Sequence, residues 1–279
     1  MLDSVIDSIV AIALAEDLSA GDVTTESCIP EGAISVAHAV ARRPMVACGA
    51  RVFARVFAHI DAQLRVELRV ADGARVEAGQ PLWSVSGSSR AILMGERTAL
   101  NLTQRMSGVA TLTRSYLDAV PQGCATRITD TRKTTPGLRA LERYAVRTGG
   151  GHNHRDNLGS AVLIKDNHIV AAGGIREAIR AARAFAPHTC RIECEVDSLA
   201  QLTVALDAGA DIVLLDNMST EMVQQAVALT RGRALLEASG GITHARIAEL
   251  ARAGVDVISS GALTHSAPAA DIGLDFDAA

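Results

Sequence analysis

The sequence predicts an α/β protein in which a β-rich first part precedes a parallel sheet wound with helices. Three observations carry this reading. After residue 121, apolar runs of strand length alternate with helix-length segments, at a repeat of about twenty residues, the length of one β/α unit. Each of those runs ends in a polar group. Between Ile34 and Ser86 the apolar residues instead alternate at, or close to, a period of two, as in half-buried strands. The chain has 279 residues, 48% of them hydrophobic and 21% charged, an ordinary balance for a soluble globular protein. Aromatics are only 3%, so Ala, Val, Leu and Ile must fill the core.

In order, the first helix covers about Val5 to Glu16 and ends at EDLSAGDVTTE, where Gly21 and an Asp/Thr cluster mark a turn. VAHAVARRPMVACG and LRVELRV read as strands, with VFARVFAHI as a helix packed on them. Asp72-Gly73 and Gly79-Gln80-Pro81 are turn signals between short apolar runs. Lipoyl and biotinyl carrier domains look locally similar there. A carrier attaches its cofactor to a lysine, however, and none precedes Lys133, so only the β-rich shape survives. A helical region follows from about Ala91 to Val120, with a break expected at Ser107-Gly108. Arg97 and Arg105, eight residues apart, share one of its faces.

Six strand runs come next: ATRITD, AVLIKD, RIECEVD, DIVLLDN, ALLEASGG and VDVISSG. Ser198, Ser219 and Thr243 are candidate N-caps of the intervening helices, and Gly209, Gly232 and Gly254 close them. The polar strand ends are Asp130, Lys165, Glu195, Asp216, Glu237 and Ser260. Active sites of (β/α) barrels form at the C-terminal ends of the strands. Six strands make the barrel incomplete. The tail SAPAADIGLDFDAA is too short for another unit and is expected to return to the first domain.

The formal net charge of −4 argues against non-specific nucleic-acid or membrane-surface binding. Five cysteines, an odd number without C-x-x-C spacing, favour neither a disulfide framework nor a zinc site. The N-terminal segment carries acidic residues and no basic n-region, so it reads as a helix and not a signal peptide. No apolar run approaches the ~18 residues of a membrane span. The expected compartment is the cytosol.

The chemistry concentrates in residues 130 to 168, DTRKTTPGLRALERYAVRTGGGHNHRDNLGSAVLIKDNH. This stretch holds the only two lysines of the chain, Lys133 and Lys165, among 27 lysines and arginines. Lysine is a compact point charge and arginine a planar fork, so two lysines kept together here point to a task a fork cannot do. Arg132, Arg139, Arg155 and His154 add further cationic donors. A basic cluster in a mildly acidic chain points to a small anionic ligand. Ser239-Gly240-Gly241 and Ser260-Gly261-Ala262, after consecutive late strands, are candidate phosphate loops, since glycine lets backbone N–H groups approach an anion. Glu195 and Asp216 can hold sugar hydroxyls or Mg²⁺, a hard ion that prefers carboxylates and water. Together these describe a ligand set with a phosphate, a polyol, a metal-bound diphosphate and further carboxylates.

DTRKTTPGLRALERYAVRTGGGHNHR, LIKDNH, ECEVDSL, VLLDN, EASGG and GALTHS resemble quinolinate phosphoribosyltransferase, and the likeness extends to GDVTTE, NLTQRMSGVAT and DIGLD. The resemblance implies an N-terminal α/β sandwich, residues 1–110 with the 266–279 tail, followed by an open, incomplete (β/α) barrel, residues 111–265. It implies a homodimer, phosphoribosyl transfer to quinolinate with decarboxylation in NAD biosynthesis, and Mg²⁺ with phosphoribosyl pyrophosphate. It places Arg132, Arg155, His154 and Lys165 around the quinolinate carboxylates, with the partner's Arg105. Lys133 and Arg139 would face phosphoribosyl pyrophosphate, Glu195 and Asp216 the ribose and its metal, and the Ser-Gly loops the 5-phosphate, with Thr131 also among the substrate-binding residues. Lys133, Lys165, Glu195 and Asp216 are the implied catalytic residues. Asn157 and Ser160 depart from the family's usual Gly and Asp, and a left-handed Asn157 would keep the loop's path.

Three other readings share these residues. A class I aldolase would use Lys165 as a Schiff base. An accessory protein would resemble the molybdenum-transport relatives, in which the LIKDNH lysine is lacking. A nicotinate phosphoribosyltransferase would bind one carboxylate and need fewer cations.

Overall fold

A computed structural model describes residues 1–278. The first part runs α1 (Asp3–Leu18), α2 (Val23–Cys28), β1 (Ile34–Ala41), β2 (Met45–Val46), α3 (Ala50–Ile60), β3 (Arg65–Leu68), β4 (Arg75–Val76), β5 (Pro81–Ser88) and α4 (Ser89–Asp118). Then come β6 (Arg127–Thr129), α5 (Arg139–Thr148), β7 (Val162–Ile164), α6 (Asp166–Ala172), α7 (Ile175–Phe185), β8 (Ile192–Val196) and α8 (Leu199–Asp207). The chain closes with β9 (Ile212–Asp216), α9 (Thr220–Thr230), β10 (Leu235–Ser239), α10 (His244–Ala253), β11 (Val257–Ser259), α11 (Ala262–His265) and β12 (Ile272–Phe276). Two compact units result. The first comprises Met1–Arg114, Thr134–Gly150 and the segment from Leu263 onward; the second comprises Ser115–Lys133 and Gly151–Ala262.

The first unit is built on an antiparallel sheet in the order β12-β1-β5-β3. Phe53, Phe57 and Trp83 bury completely beside it, with Phe53 4.9 Å from Phe57 and 5.2 Å from Trp83 between ring centroids. Three of the chain's seven aromatics make this cluster. Residues 134–150, assigned from sequence to the barrel, fall in this unit through α5. The turn expected at Gly21 is present, its N–H donating to the Leu18 carbonyl at 3.1 Å with φ at +80°, but the Asp/Thr cluster beyond it forms α2, which Asp22 caps by accepting from the Thr25 N–H at 2.9 Å.

The break expected at Ser107-Gly108 is also absent, and α4 runs through all 30 residues. Ser107 instead faces β2's neighbour Cys48, donating to its carbonyl and accepting its N–H, both at 3.0 Å. Gly108 admits the Pro268 backbone, since a Cβ there would lie 2.0 Å from the Pro268 oxygen. The Ser-Gly pair serves close packing, not helix termination.

The second unit is a six-stranded parallel sheet in the order β6-β11-β10-β9-β8-β7. All six sequence-predicted runs form its strands. Since β6 and β7 are its two ends, the sheet stays open between them. Ser198 and Ser219 cap α8 and α9, accepting from Gln201 N at 3.4 Å and Met222 N at 3.3 Å. Thr243 occupies the N-cap position of α10, but its side chain makes no capping bond. Gly209, Gly232 and Gly254 take left-handed backbone at the helix ends.

Candidate active site

A cavity of about 330 Å³ opens at the C-terminal ends of the second unit's strands. It is lined by Thr131, Arg132, Lys133, His154, Arg155, Lys165, Glu195, Asp216, Glu237, Ser239, Gly240, Gly241, Ser259, Ser260 and Gly261. Leu163, Leu214 and Ile242 supply its apolar wall. Of the residues expected from sequence, Arg105, Arg139 and Ala262 are not in this lining. Arg105 and Arg139 belong to the first unit, and Ala262 opens α11.

Strand register explains the grouping. Glu195 on β8, Leu214 on β9 and Glu237 on β10 are partners in one row. Asp216 and Ser239 form the next row toward the strand ends. Lys165 follows the last residue of β7 and caps α6, its N–H donating to His168 Nδ1 at 3.0 Å. The lysine's root is therefore fixed, while Nζ reaches Glu195 Oε2 at 2.7 Å.

The late loop after β10 is shaped by Gly240 and Gly241, at φ of +79° and +57°. Asn217, itself left-handed at φ 54°, donates its N–H to the Ser239 carbonyl at 3.0 Å and its side-chain amide to Asp216 Oδ2 at 2.9 Å. A Cβ at Gly240 would sit 2.3 Å from Asn217 Oδ1. The glycine keeps this loop on the neighbouring one and leaves its backbone amides open to an anion.

Two strand-end expectations need correction. Asp130 is fully buried and braces the following segment, accepting from His154 N at 2.7 Å and Asn153 Nδ2 at 2.6 Å. It does not line the cavity. Glu237 stands in the middle of β10, not at its end. With Glu193 it faces His154, whose Nε2 lies 3.2 Å from Glu193 Oε2 and 3.4 Å from Glu237 Oε1. The strand-end pattern singled out Glu237 but gave Glu193 no role. The signal was there for Glu193, because the period-two alternation of IECEV puts it on the same face as Glu195.

Electrostatics around His154 are strongly coupled. Burial works against a charged ring, while hydrogen bonding to Glu193 and Glu237 draws its pKa up, to about 10. Yet Nδ1 already accepts the Arg155 N–H at 2.8 Å and cannot hold a proton in that geometry. The ring proton therefore sits on Nε2, the nitrogen that faces the two carboxylates. The Glu193 carboxyl is raised, by burial first, with Glu237's charge adding to it. Arg155 is shifted down by burial and by the Arg132 charge beside it, the mark of a site that wants anions.

The 156–160 loop does not take the expected left-handed turn at Asn157. Among the described non-glycine residues only Asn217 and Arg231 have positive φ. Side chains close the loop instead. Ser160 Oγ accepts from the N–H groups of Asp156 and Asn157, and Asn157 Oδ1 accepts from Gly159 N at 2.9 Å.

In the first unit, Arg105 is held by Glu142, which is fully buried. Nε and Nη2 both donate to Glu142 Oε1, at 3.0 and 2.7 Å. Nη1 donates to the Ala267 carbonyl at 2.9 Å, and Nη2 also to that of Thr264. Arg139 donates to Thr134 Oγ1 at 2.9 Å. No helix among the described residues is long and apolar enough to cross a membrane.

Comparison with known proteins adds the family. Residues 22–107 match the quinolinate phosphoribosyl transferase N-terminal domain, and residues 109–275 the C-terminal domain. A Mycobacterium leprae protein named nicotinate-nucleotide pyrophosphorylase (carboxylating) is 48% identical over 270 residues, covering 95% of this chain and 94% of its own. Quinolinate phosphoribosyltransferase (decarboxylating) 1 of Nicotiana glauca is 37% identical, covering 96% of this chain and 81% of its own. The solved nicotinate-nucleotide pyrophosphorylase of Francisella tularensis superposes with a TM-score of 0.94 at 38% identity, over 99% of this chain and 98% of its own. A cation-rich cavity at parallel strand ends, its Ser-Gly loops and this end-to-end likeness agree: the chain belongs to the quinolinate phosphoribosyl transferase family.

Proposed function

We infer that this protein transfers the phosphoribosyl group of phosphoribosyl pyrophosphate to quinolinate, releasing pyrophosphate and CO₂ and leaving nicotinate mononucleotide for NAD synthesis. The observation that carries this is the charge of the cavity. Arg132, Lys133, Arg155 and Lys165 all line it, more cations than a single pyridine carboxylate would engage. Arg132, Arg155 and Lys165 bind the two carboxylates. Thr131 and Lys133, with Arg139, serve the diphosphate, and the loops at Ser239-Gly241 and Ser260-Ala262 take the 5-phosphate.

In the reaction the quinolinate nitrogen forms a bond to C1 of the sugar as the C1–O bond to pyrophosphate breaks. Positive charge develops at C1 and then on the ring nitrogen. Glu195 and Asp216 stand at adjacent strand ends to stabilise the first. The second makes C2 a good site for the electron pair left when its carboxylate departs as CO₂, and C2 then takes up a proton. Lys165, neutralised in part by Glu195, orients the substrate by a charged contact.

Glu195 and Asp216 fit Mg²⁺. Each commits one oxygen to a neighbour, Lys165 or Asn217, and keeps a second hard donor, while Mg²⁺ itself favours few carboxylates plus phosphates and water. When bound, the ion offsets the charge of the leaving diphosphate. The protein works as a cytosolic homodimer, where its five free thiols stay reduced. The partner's Arg105 completes the dicarboxylate site, pre-set by Glu142. Four of its five N–H donors are already engaged, so it offers one contact and not a fork. Incubation with quinolinate, phosphoribosyl pyrophosphate and Mg²⁺ should yield nicotinate mononucleotide and pyrophosphate. Formation of neither product overturns the reading.

A further inference from the structure

We propose that Glu193 and Glu237 are positioning residues that set the tautomer of His154, and that His154 in turn fixes the backbone from which Arg155 reaches the cavity. This rests on the reading of the cavity as the quinolinate site. Glu193 and Glu237 come from β8 and β10, each 4% exposed, and both aim a carboxylate oxygen at one nitrogen, His154 Nε2. A nitrogen facing two acceptors is a donor, so Nε2 carries the ring proton. Nδ1 is then a lone pair, and it receives the Arg155 N–H at 2.8 Å.

Both ring nitrogens are consumed within the protein. His154 therefore has none left for a quinolinate carboxylate, and the direct contact implied by the resemblance becomes an indirect one. The 154–155 segment is pinned at three points. His154 N donates to Asp130, Arg155 N donates to His154, and Arg155 Nη1 donates to the Ala161 carbonyl at 3.1 Å.

Stability alone does not account for the trio. Glu193 Oε1 and Glu237 Oε1 are buried without a well-directed hydrogen bond, which costs the fold free energy. One acid would have satisfied the Nε2 proton. Two acids leave no other tautomer available, and orientation of a ligand-binding neighbour through such a relay is a familiar use of buried polar networks. A histidine between two carboxylates also resembles a cation site. Ligation at Nε2 would need the lone pair that the Nδ1 hydrogen bond assigns to the other nitrogen, and metal-bound imidazoles donate from their second nitrogen where this one accepts.

The test has two arms. In the first, ¹⁵N spectra of histidine-labelled wild-type protein are recorded, with His154 assigned by His154→Gln. A neutral ring protonated on Nε2 is expected, and an Nδ1-protonated ring overturns the proposal whatever the enzyme does. In the second, Glu193→Leu and Glu237→Leu are compared with the matching Gln variants. Each Leu variant should raise the quinolinate KM roughly tenfold, the worth of one charge-assisted hydrogen bond. The phosphoribosyl pyrophosphate KM should stay within about twofold, since Arg155 is not assigned to that ligand. Gln, which keeps an acceptor, should restore most of the loss. Equal losses for both substrates, or Gln variants as poor as Leu, overturn the proposal, and the spectra decide if the Leu variants do not fold. A wild-type enzyme that makes no nicotinate mononucleotide would instead refute the functional reading and leave the tautomer result standing.

Discussion

Replacing Lys165 separates binding from folding. Its Nζ lies 2.7 Å from Glu195 Oε2, but the lysine side chain is 45% exposed and the glutamate 16%. An ion pair so open to water contributes about 1 kcal/mol or less to stability. Lys165→Ala should therefore shift the denaturation midpoint little. Its contact with a quinolinate carboxylate is a charge-assisted hydrogen bond, worth about 1.5–3 kcal/mol, or about ten- to a hundredfold in kcat/KM. Lys165→Arg is the sharper probe. The backbone at this position is tied to His168 at 3.0 Å, so a longer planar fork cannot bring its charge to the same point. We expect a loss in the same range. The assay is steady-state kcat/KM for quinolinate beside urea denaturation. Near-normal kcat/KM for Lys165→Arg would refute the reasoning, as would a large stability loss for Lys165→Ala, which would make the lysine structural.

Other expectations follow from the same geometry. Gly240→Val should weaken phosphoribosyl pyrophosphate more than quinolinate in titrations, because left-handed backbone costs a non-glycine residue about 1–2 kcal/mol and the side chain meets Asn217; equal losses would argue against a dedicated phosphate loop. Glu142→Ala should lower unfolding free energy by about 3–5 kcal/mol, since it strands Arg105 beside a fully buried site; chemical denaturation checks this. Arg105→Ala should cost about tenfold in quinolinate affinity, one charged contact. Mixed with Lys165→Ala under subunit exchange, it should restore activity to up to about half of heterodimer sites, and exchange without recovery would place Arg105 in its own chain's chemistry. Burial pushes the Cys48 thiol up and raises that of Cys194 to about 11. Neither should react with a thiol reagent at pH 8 in native protein, whereas exposed Cys28 should, as mass spectrometry of labelled peptides will show.

The strand runs of the second unit were legible because parallel strands are largely buried and read as short, mostly apolar words between helix-length segments. The cavity was legible because charge at a strand end is costly unless used. Those two rules found every lining cation and the lining carboxylates Glu195, Asp216 and Glu237. They overreached at Asp130, which is polar at a strand end in order to brace His154. They undershot at Glu193, since an acid within a strand reads as one more outward position until the partner strand's register is known. Ser107-Gly108 and Asp22 misled for a common reason: small polar residues break, cap or pack helices according to what stands opposite, and one sequence does not contain that neighbour. Arg105 shows the same limit, its partner Glu142 lying 37 residues away.

The most direct test of the central claim follows the carbon that must leave. Quinolinate labelled in its C2 carboxyl is incubated with phosphoribosyl pyrophosphate, Mg²⁺ and the protein. The account predicts one labelled CO₂ for each unlabelled nicotinate mononucleotide formed. Label retained in a mononucleotide, or no dependence of CO₂ release on phosphoribosyl pyrophosphate, would contradict it.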